Sequence, residues 1–153
     1  MPDIQDETKD MTPTMMAAYY FEKGYSVEKL NEVLRSRKVI FPTISDVLNE
    51  FMGRQDMSVS TLAILSDMNQ ATIHRIMKKE RNPGRNAVLR MAIALNLSFD
   101  ETQVLLKSGN CALLSATRER DLVIMKGITD GVTYEALNDE LEARNMPNLN
   151  AKI

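Results

Sequence analysis

Side chains that can hydrogen-bond to nucleic acid are concentrated in residues 58–83, which read SVSTLAILSDMNQATIHRIMKKERNP. The amide of Gln70 could form paired hydrogen bonds with an adenine edge, and the guanidinium of Arg75 could pair with guanine or with a phosphate. Lys78, Lys79 and Arg81 follow closely and would attract phosphates. These residue types favour contact with double-stranded DNA, provided that one helix presents them on a single surface.

Two short helices must hold these side chains. Apolar residues recur at intervals that allow helices over 59–66 and 70–79 to cross a small shared core. Asn69 is a suitable N-cap for the second helix, and Asn82-Pro83-Gly84 is a turn by composition. The spacing predicts a helix-turn-helix. The apolar positions are Leu62, Ala63, Met68, Ile73 and Ile76, whereas Gln70, Thr72, His74 and Arg75 are left to face outward.

The remainder of the chain also follows helical periodicity. Capping signals at Ser26, at Thr43 with Asp46, and at Ser98 with Glu101 indicate where three helices begin. Further helices are predicted from Met11 to Gly24, from the 82–84 turn to near Asn96, over 117–129 and over 133–144. The only strand-like run is 38–41, which an extended connector explains equally well. We therefore expect an all-α fold.

Charge is unevenly distributed along the chain. The net charge is -2, but residues 51–90 carry 7 basic and 3 acidic side chains, whereas both flanking regions are acidic. A basic segment of this kind suits a phosphate-tracking surface, although its net charge of +4 (7 minus 3) predicts weak binding by a monomer. The single Cys111, the absence of a long apolar run and the acidic start predict a cytoplasmic protein that does not enter a membrane.

Residues 43–107 resemble the five-helix DNA-binding domain of the phage Cro/cI repressor, or XRE, family. The resemblance rests on the helix-turn-helix spacing, on Asn69 as cap, on Arg81-Asn82-Pro83 after the second helix, and on Ala92, Leu95 and Leu97 beyond it. It implies a lambda-repressor-like helix-turn-helix domain flanked by additional N- and C-terminal helices. It also implies double-stranded DNA as the partner and a homodimer as the active form.

The resemblance assigns roles to individual positions. Gln70, Ala71 and Arg75 would occupy the positions from which such repressors read base edges, with His74 beside them. Phosphate contacts would come from Asn69, Thr72, Lys78, Lys79, Arg81 and Arg85.

Several positions depart from the family pattern. Val59 stands where the family usually has a phosphate-clamping Gln, and Asp67 stands where the turn commonly has Gly. Ile64 and Leu65 are apolar where the family is normally polar, and Met77 and Lys79 replace the usual Glu and Gly. These departures bear on DNA recognition more than on the scaffold.

The predicted organisation has four parts: a disordered tail over 1–10, a helical extension over 11–42, the helix-turn-helix domain over 43–107, and a C-terminal helical extension over 108–153 packed on it. The last part resembles the tail of a group of bacterial proteins, with LLKSGNCALLSATRERDLVI followed by a helix of the form YEALNDELEARNMPNL. The flanking helices are therefore expected to belong to the family architecture.

Other chemistry has little support in the sequence. His74 lacks neighbours at metal-ligand spacing, and Cys111 is expected to be a buried small hydrophobe. The cluster Arg118-Glu119-Arg120-Asp121 is expected to form solvated ion pairs in the first turn of a helix. We expect no enzyme, no metal and no cofactor.

Two functions remain open at this point. The first is a sequence-specific DNA-binding transcriptional regulator, a dimer whose recognition helices enter successive major grooves about 34 Å apart. The second is a helix-turn-helix scaffold that serves as a protein-interaction adaptor or an antitoxin-like partner. Val59, Ile64 and Leu65, which make the first motif helix apolar, and Asp67, which makes the turn acidic, favour it.

Overall fold

The helices of this chain begin mostly at capping side chains and often end at left-handed turns. The computed structural model describes residues 13–36 and 43–150, and all regular secondary structure in those two ranges is α-helical. The prediction of an all-α fold is confirmed for these residues. The predicted tail 1–10 and the strand-like run 38–41 lie outside them. The helices are α1 (Pro13–Glu22), α2 (Val27–Ser36), α3 (Ile44–Arg54), α4 (Val59–Ser66), α5 (Gln70–Met77), α6 (Arg85–Ala94), α7 (Phe99–Ser108), α8 (Glu119–Asp130) and α9 (Tyr134–Ala143).

The chain divides into two compact units, Met1–Pro42 and Thr43–Ile153. In the first unit, α1 and α2 form a helical hairpin around the buried Tyr20 and Leu30. The Tyr20 ring lies 5.0 Å from that of Tyr19 and 4.9 Å from that of Tyr25, measured between centroids. The turn between the helices uses Gly24 at a φ of 87°, a left-handed value that glycine adopts without strain.

The predicted N-terminal caps are present. The hydroxyl of Ser26 accepts a hydrogen bond from the Lys29 backbone N–H at 3.1 Å before α2. Thr43 with Asp46 and Ser98 with Glu101 each form a reciprocal capping box at the start of α3 and α7. These contacts join residues three apart in sequence, which is why residue types and their spacing predicted them.

One core extends through the second unit. Helix α3 packs on α5 and α7, α4 packs on α5 and α6, and α6 also packs on α7 and α9. Side chains from beyond residue 107 belong to the same core as those of α4 and α5. The fully buried members include Leu48, Leu62, Ile73, Ile76, Leu89, Met91, Leu95, Leu105, Leu106, Ile124, Leu137 and Leu141.

Helix α5 is shorter than the periodicity predicted. We expected it to continue to residue 79, but it ends at Met77 because Lys79 adopts a left-handed φ of 64°. Its N–H then donates to the Ile76 carbonyl at 3.1 Å, which closes the last turn. Among the residues that the structure describes, no helix is long and apolar enough to cross a membrane.

Candidate nucleic-acid interface

A tight left-handed turn joins α4 to α5. Asp67 lies at φ 53° and ψ 43°, and the backbone N–H of Met68 donates to the Ala63 carbonyl at 3.0 Å. Asn69 then caps α5, since its side-chain oxygen accepts from the Ala71 N–H at 2.8 Å. Asp therefore takes the left-handed position that usually favours glycine, as short polar side chains can.

The apolar residues of the motif form the inner surface of the pair. Leu62 and Ile73 have no exposed surface, Ile76 is 1% exposed and Ala63 is 7% exposed. Met68 is half-buried and packs against the same core. The predicted inner positions of both helices are thus buried.

The predicted base-reading residues share one exposed face of α5. Gln70, Ala71, His74 and Arg75 are all exposed, and Thr72 is half-buried. At 100° per residue, positions 70, 71, 74 and 75 cover an arc of about 140°. The structure therefore brings these four side chains together on the side of α5 that faces away from the core.

Among the described residues, three cations on this face or just after it have no protein partner. In the described part of the chain, Arg75, Lys78 and Arg81 are exposed and make no hydrogen bond or ion pair through their side chains. Lys79 is exposed near Asp46, whose pKa is lowered by hydrogen bonds from Thr43 and further by the Lys79 charge. By contrast, Arg54, Lys126 and Arg144 pair with carboxylates of their own or neighbouring helices.

Arg85 has a different environment from the other predicted phosphate contacts. Its Nε donates to the Ala112 carbonyl at 2.8 Å, and its two terminal nitrogens reach Asp121 at 3.0 and 2.8 Å. Its side chain is only 23% exposed. The guanidinium therefore binds within the protein, and the structure does not group it with Lys78 and Arg81.

The charged cluster at 118–121 is not the solvated arrangement that we expected. Asp121 is 1% exposed and accepts hydrogen bonds from Arg85, from Arg118 at 3.3 Å and from the Ser115 backbone N–H at 3.0 Å. Burial raises the pKa of Asp121, but these hydrogen bonds and the two arginine charges outweigh it and lower the pKa overall. The expectation was wrong because the partners come from α6 and from the 109–118 loop, which local spacing does not reveal.

Arg120 belongs to the same structural network. Its Nε donates to the Pro147 carbonyl at 2.9 Å, and a terminal nitrogen donates to the Asn86 side chain at 2.9 Å. It therefore ties α6 to the segment after α9. The 118–121 cluster therefore attaches the C-terminal helices to α6.

Two side chains that the sequence pattern did not indicate fix the ends of the motif helices. The Ser45 hydroxyl, on α3, donates to the Met77 carbonyl at 2.6 Å, at the end of α5. Arg90, on α6, donates from Nε to the Ser66 carbonyl at 3.0 Å and from a terminal nitrogen to the Asp67 carbonyl. The partners are 23 to 32 residues apart in sequence, so no local signal could have found them.

An apolar surface lies on the outer side of α4. Ile64 is 77% exposed and Leu65 is 45% exposed, whereas Val59 is half-buried against the core. The departures from the family pattern at 64 and 65 thus leave two large apolar side chains in water.

Cys111 is the cysteine of this chain, and it lies outside the candidate surface on α5. Cys111 is half-buried where full burial was expected, and its desolvation raises the pKa of the thiol. Among the described residues, no group of three or more His, Cys, Asp or Glu side chains could hold a metal ion.

No protein-family model matches this chain, and neither the curated proteins nor the solved structures contain a match.

Proposed function

We propose that this protein is a sequence-specific DNA-binding transcriptional regulator that inserts α5 into the major groove. The observation that carries the proposal is the exposed face of Gln70, Ala71, His74 and Arg75, followed directly by cations that have no partner in the described protein. Under this proposal, α3 to α7 form a lambda-repressor-like domain of the XRE type.

The side chains on and beside the α5 face would contact both bases and phosphates. Gln70 would pair with adenine, Arg75 with guanine, and the Ala71 methyl would contact a thymine methyl, while His74 lies between them. Asn69, Thr72 and the first backbone N–H groups of α5 would hold a phosphate, and Lys78, Lys79 and Arg81 would add sequence-independent attraction. The base contacts would supply specificity, and the phosphate contacts would supply affinity.

The net charge of +4 (7 minus 3) over residues 51–90 predicts weak binding by a single copy, so the proposal includes a homodimer. Two α5 helices about 34 Å apart would enter successive major grooves on one side of the duplex. An operator recognised in this way would be a near-palindrome with half-sites about ten base pairs apart.

Selection of bound duplexes from a random pool, followed by gel shift, tests the proposal. We expect one sequence to be enriched, and we expect Gln70→Ala and Arg75→Ala each to weaken its binding by about tenfold. Arg144→Ala is the control because Arg144 is an exposed arginine, the residue directly after α9, whose side chain pairs with Glu140. Absence of binding at about 50 mM salt would reject the proposal, and so would an equal effect of Arg75→Ala and Arg144→Ala.

The exposed side chains on α4 favour a second candidate function. Ile64 and Leu65 together make an apolar surface beside the acidic Asp67, which repels phosphate. Under this alternative, the helix-turn-helix is a protein-interaction adaptor or an antitoxin-like partner, with α4 as its contact helix.

A pull-down with the full chain and an Ile64→Glu variant separates the two candidates. The adaptor function requires a stoichiometric protein partner that is lost in Ile64→Glu and retained in Gln70→Ala. Tight, sequence-specific DNA binding by Ile64→Glu, with no partner recovered by the unmodified protein, would exclude it.

A further inference from the structure

Arg90 connects the turn of the helix-turn-helix to the C-terminal helix α9. Its guanidinium donates to the Ser66 and Asp67 carbonyls and lies 5.1 Å from the ring centroid of Tyr134, the first residue of α9. We infer that Arg90 is a positioning residue for DNA recognition, held in place by Tyr134. This inference rests on the proposed function and names the residues that set the orientation of the α5 face.

The carbonyls that Arg90 binds are those that α4 leaves without a helical partner. The last four carbonyls of an α-helix lack an intrahelical N–H, and here Ser66 ends the helix while Asp67 is left-handed. A charged donor that binds both carbonyls fixes the peptide planes on each side of Asp67. Asn69, the N-cap of α5, follows two residues after Asp67, so the direction of α5 depends on these planes.

Tyr134 restricts where the guanidinium can lie. Its ring is 4% exposed and belongs to the core, and its hydroxyl hydrogen-bonds to the Asn150 side chain. Stacking on the ring leaves the edge of the planar guanidinium free to donate to the carbonyls. The Arg90 side chain is therefore held from both directions, by the turn and by α9.

The effect of losing this contact should fall on base recognition. Phosphate contacts tolerate small shifts of a flexible lysine, whereas paired hydrogen bonds to a base edge require a fixed helix orientation. A lysine at position 90 keeps the charge but cannot bind two carbonyls while stacking on an aromatic ring. We therefore expect Arg90→Lys to reduce specificity more than overall affinity.

The experiment compares Arg90→Lys, Tyr134→Phe and Tyr134→Leu in the full chain, with Arg144→Lys as the matched control. The first readout is the ratio of affinities for the selected duplex and a random duplex. The second is amide hydrogen exchange at residues 68–72, measured without DNA. Tyr134→Phe keeps the aromatic ring, so it should behave like the unmodified protein, whereas Tyr134→Leu should behave like Arg90→Lys.

In Arg90→Lys we expect a specificity ratio about tenfold lower, unchanged affinity for random duplex, and faster exchange at residues 68–72. An unchanged ratio together with unchanged exchange would overturn the inference, even if the melting temperature falls. If the unmodified protein binds no duplex, the proposed function fails, and the exchange readout alone still decides whether Arg90 and Tyr134 fix the turn. If Tyr134→Leu does not fold, the specificity ratio and the exchange rates of Arg90→Lys are compared with those of Tyr134→Phe and Arg144→Lys. Equal values in all three variants would overturn the inference.

Discussion

The Arg85 guanidinium meets the Asp121 carboxylate in a two-pronged ion pair, with nitrogen–oxygen distances of 3.0 and 2.8 Å. This contact joins the first residue of α6 to α8, and Asp121 is almost completely buried in it. Arg85 is therefore not part of the candidate DNA surface. Its side chain attaches the C-terminal helices to α6 instead. Helices α4 and α5 therefore share one core with the C-terminal helices α8 and α9.

The different environments of Lys78 and Arg85 predict different effects on DNA binding. Lys78→Ala should reduce the slope of log affinity against log salt by about 0.9, because under the proposed function Lys78 makes one phosphate contact. Arg85→Ala should leave the slope unchanged and lower the melting temperature, since its partners are protein groups. Fluorescence anisotropy over a salt series measures both slopes. A larger slope change for Arg85→Ala than for Lys78→Ala would contradict the role of Lys78 as a phosphate contact and of Arg85 as a structural residue.

Ser45 should stabilise the end of α5. Replacing it with Ala removes the donor to the Met77 carbonyl, and because Ser45 is 3% exposed, water cannot easily take its place. We expect a loss of about 1–2 kcal/mol in the free energy of unfolding, measured by urea denaturation.

The control for Ser45 is Thr129→Ala. The Thr129 hydroxyl also donates to a carbonyl, that of Met125 at 3.0 Å, but in an exposed position. Its removal should change stability by less than about 0.5 kcal/mol. Equal losses in the free energy of unfolding for the two substitutions would show that the buried Ser45 hydrogen bond stabilises the protein no more than the exposed Thr129 one.

The buried Asp121 predicts a pH dependence of stability. Its pKa in the folded protein is below the unfolded value, so its contribution is complete above about pH 4 and is lost as pH falls through the folded pKa. At neutral pH, Asp121→Asn should cost about 3 kcal/mol, because it leaves Arg85 without its charged partner. The difference from the unmodified protein should shrink steadily below about pH 4.

Chemical denaturation at a series of pH values checks this dependence. Asp139→Asn is the control, since Asp139 is exposed on α9. A stability difference for Asp121→Asn that stays constant from neutral to acidic pH would contradict the ion-pair role.

Two glycines provide a matched test of helix packing. A Cβ atom at Gly127 of α8 would lie 2.9 Å from Leu137 Cδ1 and 3.1 Å from Val132 Cγ2. Leu137 is buried and cannot move away, so Gly127→Ala should destabilise the protein by about 1–3 kcal/mol. A Cβ at Gly53 of α3 meets nothing within 4 Å, and Gly53→Ala should stabilise by about 0.5–1 kcal/mol. Thermal unfolding measures both, and the same sign for the two changes would be inconsistent with this packing of α8 on α9.

Local signals in the sequence were sufficient for the helices and for the outward face of α5. The Thr43 and Ser98 capping boxes depend on residues three apart, and the buried Ile73 and Ile76 follow from helical periodicity. The turn at Asp67 was also accessible, because aspartate tolerates left-handed geometry.

The contacts that complete the site were not accessible from the sequence. Arg85 and Asp121 are 36 residues apart, and Arg90 and Ser66 are 24 apart. Periodicity places a side chain on one face of its helix, but it does not say which distant loop covers that face. The family resemblance predicts a phosphate contact for Arg85 and local spacing predicts solvated ion pairs for 118–121, because neither shows the distant partners of these side chains.

The specificity ratio of DNA binding tests the central claim most directly. The affinity of the full chain is measured for the selected duplex and for a random duplex, and then again for the Gln70→Ala, Arg75→Ala double variant. We expect the unmodified protein to prefer the selected duplex by at least about a thousandfold, and the double variant to lose most of that preference while keeping measurable random-duplex binding. A ratio near one for the unmodified protein, or an unchanged ratio in the double variant, would contradict recognition by α5.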